Sequence, residues 1–210
     1  MWGTAPDFRG WPLRILEPNF DLTLLDSLGK RVDFLRETAD AMGLRRVRCV
    51  HARAEEFARK HREQFDIATS RAVAQLNVLC ELTLPLVKVG GVFLAMKSVE
   101  SDPELQEARS AIAQLGGAVE DVTDYTIPGT EVTHRVVRIR KERPTPAGFP
   151  RASPASRKHP CDKNGMEMSP KLGFEKIFLK IFIFSFFPLD FLTYSALFSF
   201  VILYVLTQIK

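Results

Sequence analysis

The sequence predicts an α/β domain in which a mostly parallel, doubly wound sheet is closed by an antiparallel hairpin. Between Asp21 and Gly117, short apolar runs alternate with segments of helical periodicity, a pattern that is typical of βαβ units. After Gly117, two runs that roughly alternate apolar and polar residues are joined through Pro128-Gly129, as the strands of a hairpin are. A chain of 210 residues, 46% of them hydrophobic, is long enough for one such core and too short for two large domains.

Four strands are predicted before the hairpin. Each is a short apolar run that is bounded by polar or turn-forming residues. The four predicted strands are Leu22–Asp26, Val47–His51, Phe65–Ser70 and Val92–Lys97, and the hairpin strands are Val119–Ile127 and Thr133–Arg140.

Helices are predicted between these strands because apolar residues recur there at three- and four-residue steps. The first ends before Gly43, a residue type that favours the position just after a helix. The third is expected to end or kink early at Pro85. The four predicted helices are Gly29–Met42, Ala54–His61, Ala72–Val87 and Glu104–Leu115, the last of them closed by Gly116-Gly117.

The charge distribution divides the chain into three segments. Residues 1–150 contain 21 Lys and Arg against 21 Asp and Glu, whereas residues 151–210 contain 8 against 4, and nine of the 16 Phe follow residue 170. We therefore expect a catalytic or binding domain over residues 1–143, a Pro-rich and basic linker over residues 144–173, and a hydrophobic tail over residues 174–210. Two interpretations of the linker stay open: a solvated, disordered segment, or a segment that contacts the phosphates of a nucleic acid.

The tail contains a possible membrane span. Phe191–Ile209 is a run of 19 residues without a charge, which is just long enough to cross a bilayer. One interpretation is a tail anchor. The other, which the low-complexity Phe, Ile, Leu and Ser composition favours, is non-native sequence appended to a soluble enzyme by a frameshift, read-through or gene-prediction error.

The cysteine and histidine content argues against a metal centre or a disulfide framework. Cys49, Cys80 and Cys161 are an odd number and form no CxxC pair, so a reducing compartment is expected. The chain opens without an apolar signal-peptide segment, which predicts a cytoplasmic protein unless the tail anchors it to a membrane. The four His are scattered, and no catalytic acid or base is assigned.

Four loops at the carboxyl ends of strands are the predicted site, because ligands of open α/β sheets bind there. The first is the glycine-containing segment Gly3–Gly10, whose backbone can approach a ligand. Asp26 lies at the end of the next strand and can accept the hydroxyls of a ribose, and Ala54-Glu55 can meet an adenine edge through a carboxylate or a backbone N–H. In the fourth loop, Ser70-Arg71-Ala72 leads from a strand into a helix. Each feature alone is weak, and the ordered set is stronger.

Four runs of the chain resemble one known family. They are LTLLDSLGKRVDFLRE, RAEEFA, FDIATSRAVAQLNVL and LPLVKVGGVFLAMKS, and the basic segments TPAGFPR and RKHP extend the similarity to about residue 160. They resemble the RsmG (GidB) family of methyltransferases, which act on the RNA of the small ribosomal subunit. The resemblance implies a class I S-adenosylmethionine-dependent methyltransferase with a Rossmann-like sheet, which methylates N7 of a guanine in 16S rRNA. It also implies a cytoplasmic protein, expected to be a monomer, whose partner is 16S rRNA or the small subunit.

The resemblance places cofactor contacts on the first glycine and the aromatic residue of the glycine-rich loop, here Gly3 and Phe8. It places others on Ala54-Glu55 and Arg71, and Asp26 matches the position that commonly holds the ribose in class I methyltransferases. Guanine N7 carries a lone pair at neutral pH, so the reaction requires no general base. RNA phosphates are expected to contact cations on and after the last strand: Arg135, Arg138, Arg140 and Lys141.

The chain also departs from the family pattern. The family's first loop resembles DVGTGAGFPGLPL, whereas this chain reads MWGTAPDFRGWPL, so that Asp7 adds bulk and negative charge to the loop. We therefore expect a copy that is truncated at its N-terminus, lacks the first strand of the sheet and has impaired activity. The alternative is a non-catalytic remnant that binds RNA or is tethered to a membrane by its tail. A dinucleotide-dependent oxidoreductase is disfavoured because no GxGxxG follows a strand.

Overall fold

The computed structural model describes residues 14–15, 19–70, 74–126 and 130–151. Within them, strands and helices alternate as the sequence predicts. The strands are β1 (Leu22–Asp26), β2 (Val47–His51), β3 (Phe65–Ser70), β4 (Val87–Ser98), β5 (Gly117–Thr126) and β6 (Thr133–Lys141). The helices are α1 (Gly29–Ala41), α2 (Ala54–Lys60), α3 (Leu76–Thr83) and α4 (Asp102–Gln114), with a 3₁₀ turn at Leu84–Leu86.

The strands form two hydrogen-bonded ladders. β1 and β2 are parallel, with Asp26 opposite His51 at their carboxyl ends. The other ladder has the order β3-β4-β6-β5, in which β3 and β4 are parallel, and β6 runs antiparallel to both β4 and β5. The antiparallel pair β5–β6 is the predicted closing hairpin, although its tip at residues 127–129 lies outside the described residues.

Two hydrophobic cores join the ladders into one α/β structure. One core contains Leu25 of β1 together with Phe57 of α2 and Phe93 of β4, and it also includes buried residues of α3 and α4. The other contains Leu24 of β1 and Leu35 of α1, packed with alternate residues of β4 and with β6. Because neighbouring residues of a strand point to opposite faces, both faces of the sheet are covered, as in doubly wound folds.

The boundary between α3 and β4 differs from the prediction. Helical structure was expected over Ala72–Val87, but α3 ends at Thr83, and after the 3₁₀ turn Val87 already belongs to β4. Pro85 lies in that turn, where its missing N–H and fixed φ are tolerated. The strand predicted to begin at Val92 therefore begins five residues earlier and runs through Gly90-Gly91.

The first part of the predicted linker packs against the domain. We call residues 144–151 the strap. Thr145 is 5% exposed, and its hydroxyl donates to the carbonyl of Leu115 at 2.9 Å. Arg62 donates to the carbonyls of Phe149 and, at 2.7 Å, Thr145. At the end of the strap, Arg151 pairs with Glu81, which is fully buried on α3.

In the parts of the chain that the structure describes, no helix is long and apolar enough to cross a membrane. The candidate span Phe191–Ile209 and the rest of the hydrophobic tail lie outside those parts. The same ranges contain no cluster of His, Cys, Asp and Glu that could hold a metal ion.

Candidate functional site

Asp26 is held in place at the carboxyl end of β1. Its residue exposure is 2%. Oδ1 accepts the backbone N–H of Leu28 at 2.9 Å, which closes the turn that leads into α1. Oδ2 lies 3.7 Å from the guanidinium of Arg31, a distance of charge attraction rather than of a hydrogen bond. A carboxylate oxygen can accept more than one hydrogen bond, so Oδ2 retains acceptor capacity for a hydroxyl.

Ala54 and Glu55 are the first two residues of α2, which follows β2 after a two-residue turn. Both are buried, at 7% exposure. Oε1 of Glu55 accepts a hydrogen bond from the guanidinium of Arg53 at 2.8 Å. This contact fixes the carboxylate and leaves Oε2 as an acceptor. The backbone N–H of Ala54 is one of the N–H groups at a helix start that have no partner within the helix.

The ladder between β1 and β2 brings these residues to one edge. The register pairs Asp26 with His51, and the N–H of Ala52 donates to the carbonyl of Asp26 at 3.2 Å. The loop that leads to Ala54-Glu55 therefore begins beside the Asp26 backbone. The structure thus places three of the six predicted cofactor contacts at the same sheet edge. Gly3, Phe8 and Arg71 lie outside the described residues.

The described residues suit S-adenosylmethionine. Its ribose hydroxyls and adenine amino group are hydrogen-bond donors, and spare acceptors on fixed carboxylates are what such donors require. Asp26 and Glu55 each keep one oxygen that no described side chain binds directly. His51 lies at the same edge, and its Nε2 is 3.2 Å from the carbonyl oxygen of Ser27. The sequence alone gives His51 no role, because nothing in the sequence indicates its register opposite Asp26.

A second polar group lies at the carboxyl end of β4. The ammonium of Lys97 donates to the carbonyl of Ala74 at 2.8 Å and to Glu104 at 2.5 Å. Its side chain is 8% exposed. The sequence alone does not assign a role to Lys97. Its two contacts link the segment after β3 with the first turn of α4, and only the folded chain reveals them.

The four cations predicted to contact RNA are engaged within the domain. Arg135 pairs with Asp124 at 2.6 Å and Asp102 at 2.7 Å. Arg138 and Arg140 both pair with Glu120, at 2.7 and 3.0 Å. Lys141 is fully buried. The expectation for Lys141 is therefore wrong, because a side chain without solvent exposure cannot reach a phosphate. The three arginines are already paired with carboxylates of the domain.

These ion pairs shift the ionisation of their members. Hydrogen bonds from Arg135 hold the pKa of Asp124 below its usual value, and the Arg140 guanidinium does the same for Glu120. In turn, Asp124 raises the pKa of Arg135. Burial acts in the opposite sense at Lys141, where it lowers the pKa to about 8 although Glu63 lies nearby. The carboxylates beside β5 and β6 thus stay charged and keep their arginines bound.

Comparison with known families identifies a match over most of the domain. Residues 3–132 match the GidB family, described as rRNA small subunit methyltransferase G. The matched range includes all six predicted cofactor contacts, and it begins at Gly3.

Proteins named ribosomal RNA small subunit methyltransferase G are similar to the chain along most of its length. The Alkaliphilus metalliredigens protein is 46% identical over 75% of this chain and 67% of its own length. The Clostridium perfringens protein is 46% identical over 71% and 63%, and that of Staphylococcus carnosus is 45% identical over 77% and 68%. The chain thus spans about two thirds of the length of these relatives.

A solved structure supports the fold. The M. jannaschii protein TYW2, solved in complex with AdoMet, aligns with a TM-score of 0.50 over 62% of both chains, at 14% identity. This likeness and the α/β order of the elements confirm the predicted Rossmann-like fold class. The family match and the relatives confirm the resemblance to this family that was found in the sequence. By this match, and by its identity to three such proteins, the chain belongs to the GidB family, rRNA small subunit methyltransferase G.

Proposed function

We propose that this chain transfers a methyl group from S-adenosylmethionine to N7 of a guanine in 16S rRNA. The observation that carries the proposal is the edge formed by the carboxyl ends of β1 and β2, where Asp26 and Glu55 are each fixed by a hydrogen bond and each keep a spare acceptor oxygen. The family match over residues 3–132 supplies the reaction class. The small ribosomal subunit or its RNA is the proposed partner.

Each residue has a distinct proposed role in holding the cofactor. Asp26 accepts the ribose hydroxyls through Oδ2, while the N–H of Leu28 holds its other oxygen. Glu55 and the N–H of Ala54 bind the adenine edge. Gly3 and Phe8 of the first loop and Arg71 after β3 complete the proposed set.

The proposed reaction requires little of the protein beyond positioning the cofactor and the guanine. The sulfonium of S-adenosylmethionine supplies an activated methyl group, and guanine N7 offers an unprotonated lone pair. The residues of the site therefore orient the cofactor and exclude water, which are the effects that dominate when no proton has to move. No general acid or base is proposed, and no metal is required.

We further propose the three-part organisation inferred from composition: a methyltransferase domain over residues 1–143, a linker over 144–173 and a hydrophobic tail over 174–210. The packed strap supports an extension of the folded unit to residue 151. We propose a cytoplasmic location, because the proposed substrate is ribosomal RNA, and a monomer as the active form, as the family resemblance implies.

A methyl-transfer assay with the full chain tests the proposal. Small ribosomal subunits from cells that lack this methylation are incubated with the chain and with S-adenosylmethionine that carries a labelled methyl group. We expect the label in 16S rRNA, recovered as 7-methylguanine. Absence of label, together with absence of S-adenosylmethionine binding in a calorimetric titration, would contradict the proposal.

A matched pair of variants on α2 links the activity to the site. Glu55→Gln is expected to lower the rate at limiting S-adenosylmethionine by about tenfold, the effect of one hydrogen bond to a charged group. Glu56→Gln changes an exposed neighbour on the same helix and should leave the rate unchanged. Equal rates for both variants would remove Glu55 from the proposed site.

The alternative function is a non-catalytic remnant that binds RNA or is tethered to a membrane. Its supporting observation is the uncharged run Phe191–Ile209. Alkaline carbonate extraction of membranes from cells that express the full chain separates the two proposals. The cytoplasmic enzyme is expected in the supernatant, and retention in the membrane pellet with no methyl transfer would support the tethered remnant.

A further inference from the structure

The segment that carries Arg71 is held at both flanks by the same strand. On its N-terminal side, Ser70 is the last residue of β3 and pairs with Ala95 of β4. On its C-terminal side, the carbonyl of Ala74 accepts a hydrogen bond from Lys97, two residues further along β4. Residues 71–73 lie outside the described part of the chain, so the fixed geometry belongs to the two flanks.

Lys97 is built as an internal anchor. Its side chain is only 8% exposed, and its ammonium bridges the Ala74 carbonyl and the Glu104 carboxylate. An ammonium removed from water in this way needs a counter-charge, which Glu104 provides at 2.5 Å. A flexible surface lysine would need neither contact.

The neighbouring cation reinforces the same arrangement. Lys97 lies opposite Arg135 across the β4–β6 ladder, and Arg135 donates to Asp102 at 2.7 Å. Asp102 and Glu104 both belong to the first turn of α4. Lys97 and Arg135 thus both fix the start of α4. Of these two cations, Lys97 also binds Ala74, at the flank of the Arg71 segment.

We propose that Lys97 is a positioning residue, whose ammonium, paired with Glu104, fixes Ala74 and thereby sets the placement of Arg71 for binding S-adenosylmethionine. The inference rests on the proposed function and deepens it. Lys97 does not contact the cofactor in this scheme, and it acts through the loop that it anchors.

Limited trypsin digestion of the full chain tests the anchor without any cofactor. Trypsin cleaves after Arg71, and mass spectrometry at early times reports the rate at the Arg71-Ala72 bond. Lys97→Met should raise that rate by about fivefold, because the flank opens locally more often. Lys97→Arg, which keeps a charged donor, should return the rate to that of the unmodified chain, and Glu104→Gln should give a rate between those of Lys97→Met and the unmodified chain.

Lys88→Met is the matched control. Lys88 lies near the opposite end of β4 and pairs with Asp66 on the surface, so this variant also removes one lysine and one trypsin site from the same strand. It should leave cleavage at Arg71 unchanged. A rate at Arg71 that is the same in Lys97→Met and Lys88→Met would overturn the proposed anchor.

A double-variant cycle tests the link to the cofactor. In the full chain, Lys97→Met should raise the Kd for S-adenosylmethionine by about tenfold, with melting followed to confirm that the variant is folded. In the Arg71→Ala background it should change the Kd by less than about twofold, because residues that act through one another are not additive.

The possible outcomes separate the two proposals. Equal factors in both backgrounds would overturn the role of Lys97 and leave the proposed function standing. An unmodified chain that binds no S-adenosylmethionine would contradict the proposed function and the cofactor role of Lys97 together, while the trypsin result would still decide whether Lys97 anchors the segment.

Discussion

The two carboxylate oxygens of Asp26 have different roles. One oxygen binds the Leu28 N–H and so shapes the turn between β1 and α1. The other faces Arg31 at 3.7 Å and keeps acceptor capacity. A side chain that is already fixed by its own fold loses little rotamer entropy when a ligand binds. Asp26 therefore suits the binding of a ribose.

The first prediction tests the roles of the two Asp26 oxygens separately. Asp26→Asn keeps an oxygen for the Leu28 N–H but replaces the other oxygen with an NH₂ donor. The Kd for S-adenosylmethionine should rise by about tenfold, or ~1.4 kcal/mol, when measured by calorimetry. Asp21→Asn is the control, because Asp21 lies exposed just before β1 and pairs with Arg46 at the surface. Unchanged affinity in Asp26→Asn would exclude the ribose contact.

Lys141 gives the second prediction, which concerns pH. Burial lowers its pKa from 10.5 to about 8 in the folded chain, although its ammonium reaches the Leu84 carbonyl at 2.7 Å and lies 3.5 Å from Glu63. Between pH 8 and pH 10.5 the unfolded chain consequently holds more protons on this group than the folded chain does. Stability from this residue therefore rises with pH in that window and is lowest below it.

Urea unfolding of the full chain and of Lys141→Met, at about pH 7 and about pH 10, measures this effect. Between these two pH values, the unfolding free energy of Lys141→Met should rise by about 2 kcal/mol less than that of the unmodified chain. The loss of the Lys141 hydrogen bonds shifts both values and does not affect the difference. Parallel pH profiles in the two proteins would show that Lys141 titrates as an ordinary lysine.

The sequence predicted some site residues better than others for a physical reason. Asp26 ends β1, and Ala54 and Glu55 follow β2 after a two-residue turn, so their position at the sheet edge follows from local pattern and the parallel arrangement alone. Lys97 also ends a strand, but its meaning depends on Ala74 and Glu104, which the fold brings to it from two other elements. Likewise, the partners of Arg135, Arg138 and Arg140 depend on register, which the charges of a single strand do not reveal.

At the level of elements, β4 shows why a strand can be mistaken for a turn. Gly90-Gly91 has the composition of a break, yet both residues lie inside β4. A Cβ at Gly91 would come within 2.6 Å of the carbonyl oxygen of Asp66, so glycine is required there for close approach to β3. The register between β3 and β4 shifts at the same place, between Phe65 and Ile67. Sequence alone cannot distinguish such an irregularity from a loop.

The helix ends provide the third prediction. Gly43 and Gly116 both adopt positive φ after a helix, at 63° and 86°. At Gly43 an added Cβ meets nothing within 4 Å, whereas at Gly116 it would lie 2.2 Å from the carbonyl oxygen of Arg143. Gly43→Ala should therefore cost about 1 kcal/mol of unfolding free energy from backbone strain alone.

Gly116→Ala should cost more, about 3 kcal/mol of unfolding free energy, because the clash forces the backbone at Arg143, just before the strap, away from the domain. Urea unfolding of both variants gives the comparison. Equal losses would mean that the backbone at Arg143 yields readily and that the contact with Gly116 is not restrictive.

The strap provides the fourth prediction. Glu81 is fully buried on α3, and Arg151 donates to it through its backbone N–H and its guanidinium. Arg151→Met removes the guanidinium from a carboxylate that has no solvent exposure, so the unfolding free energy should fall by about 2 kcal/mol. This value is smaller than for a fully buried ion pair because Arg151 itself is partly exposed.

The combination Glu81→Gln with Arg151→Met should recover part of that loss, because a neutral amide loses less than a buried carboxylate when the guanidinium is removed. Arg143→Met is the control, since Arg143 is exposed and its guanidinium donates to the backbone carbonyl of Ala113. A loss in Arg151→Met no larger than in the control would show that the strap contributes little to stability.

At the scale of the whole molecule, the two ladders differ in hydrogen bonding but share their cores. In the described residues, β4 and β6 each pair with strands on both sides, whereas β1 and β2 pair only with each other. The cores that contain Leu24 and Leu25 nevertheless bind β1 to the larger sheet. The α/β class could be predicted because it depends on the order of elements, whereas the division into two ladders depends on contacts that periodicity does not encode.

The fifth prediction follows from this difference. Hydrogen-bonded amides of β4 and β6 should exchange with solvent at least about tenfold more slowly than those of β1 and β2, because local opening of a two-stranded ladder breaks fewer bonds. Hydrogen exchange followed by mass spectrometry on the full chain measures both groups in one sample. Equal protection would mean that the shared cores make the two ladders open as one unit.

The docking of the strap also places residue 151 on one particular side of the domain. Arg151 is bound to Glu81 near the end of α3, and Arg59 at the end of α2 donates to the carbonyl of Pro150. Both helices end where the next strand begins, which is the side remote from Asp26 and Glu55. A chemical label placed at the end of the strap would therefore lie on the side of the domain opposite the edge that carries Asp26 and Glu55.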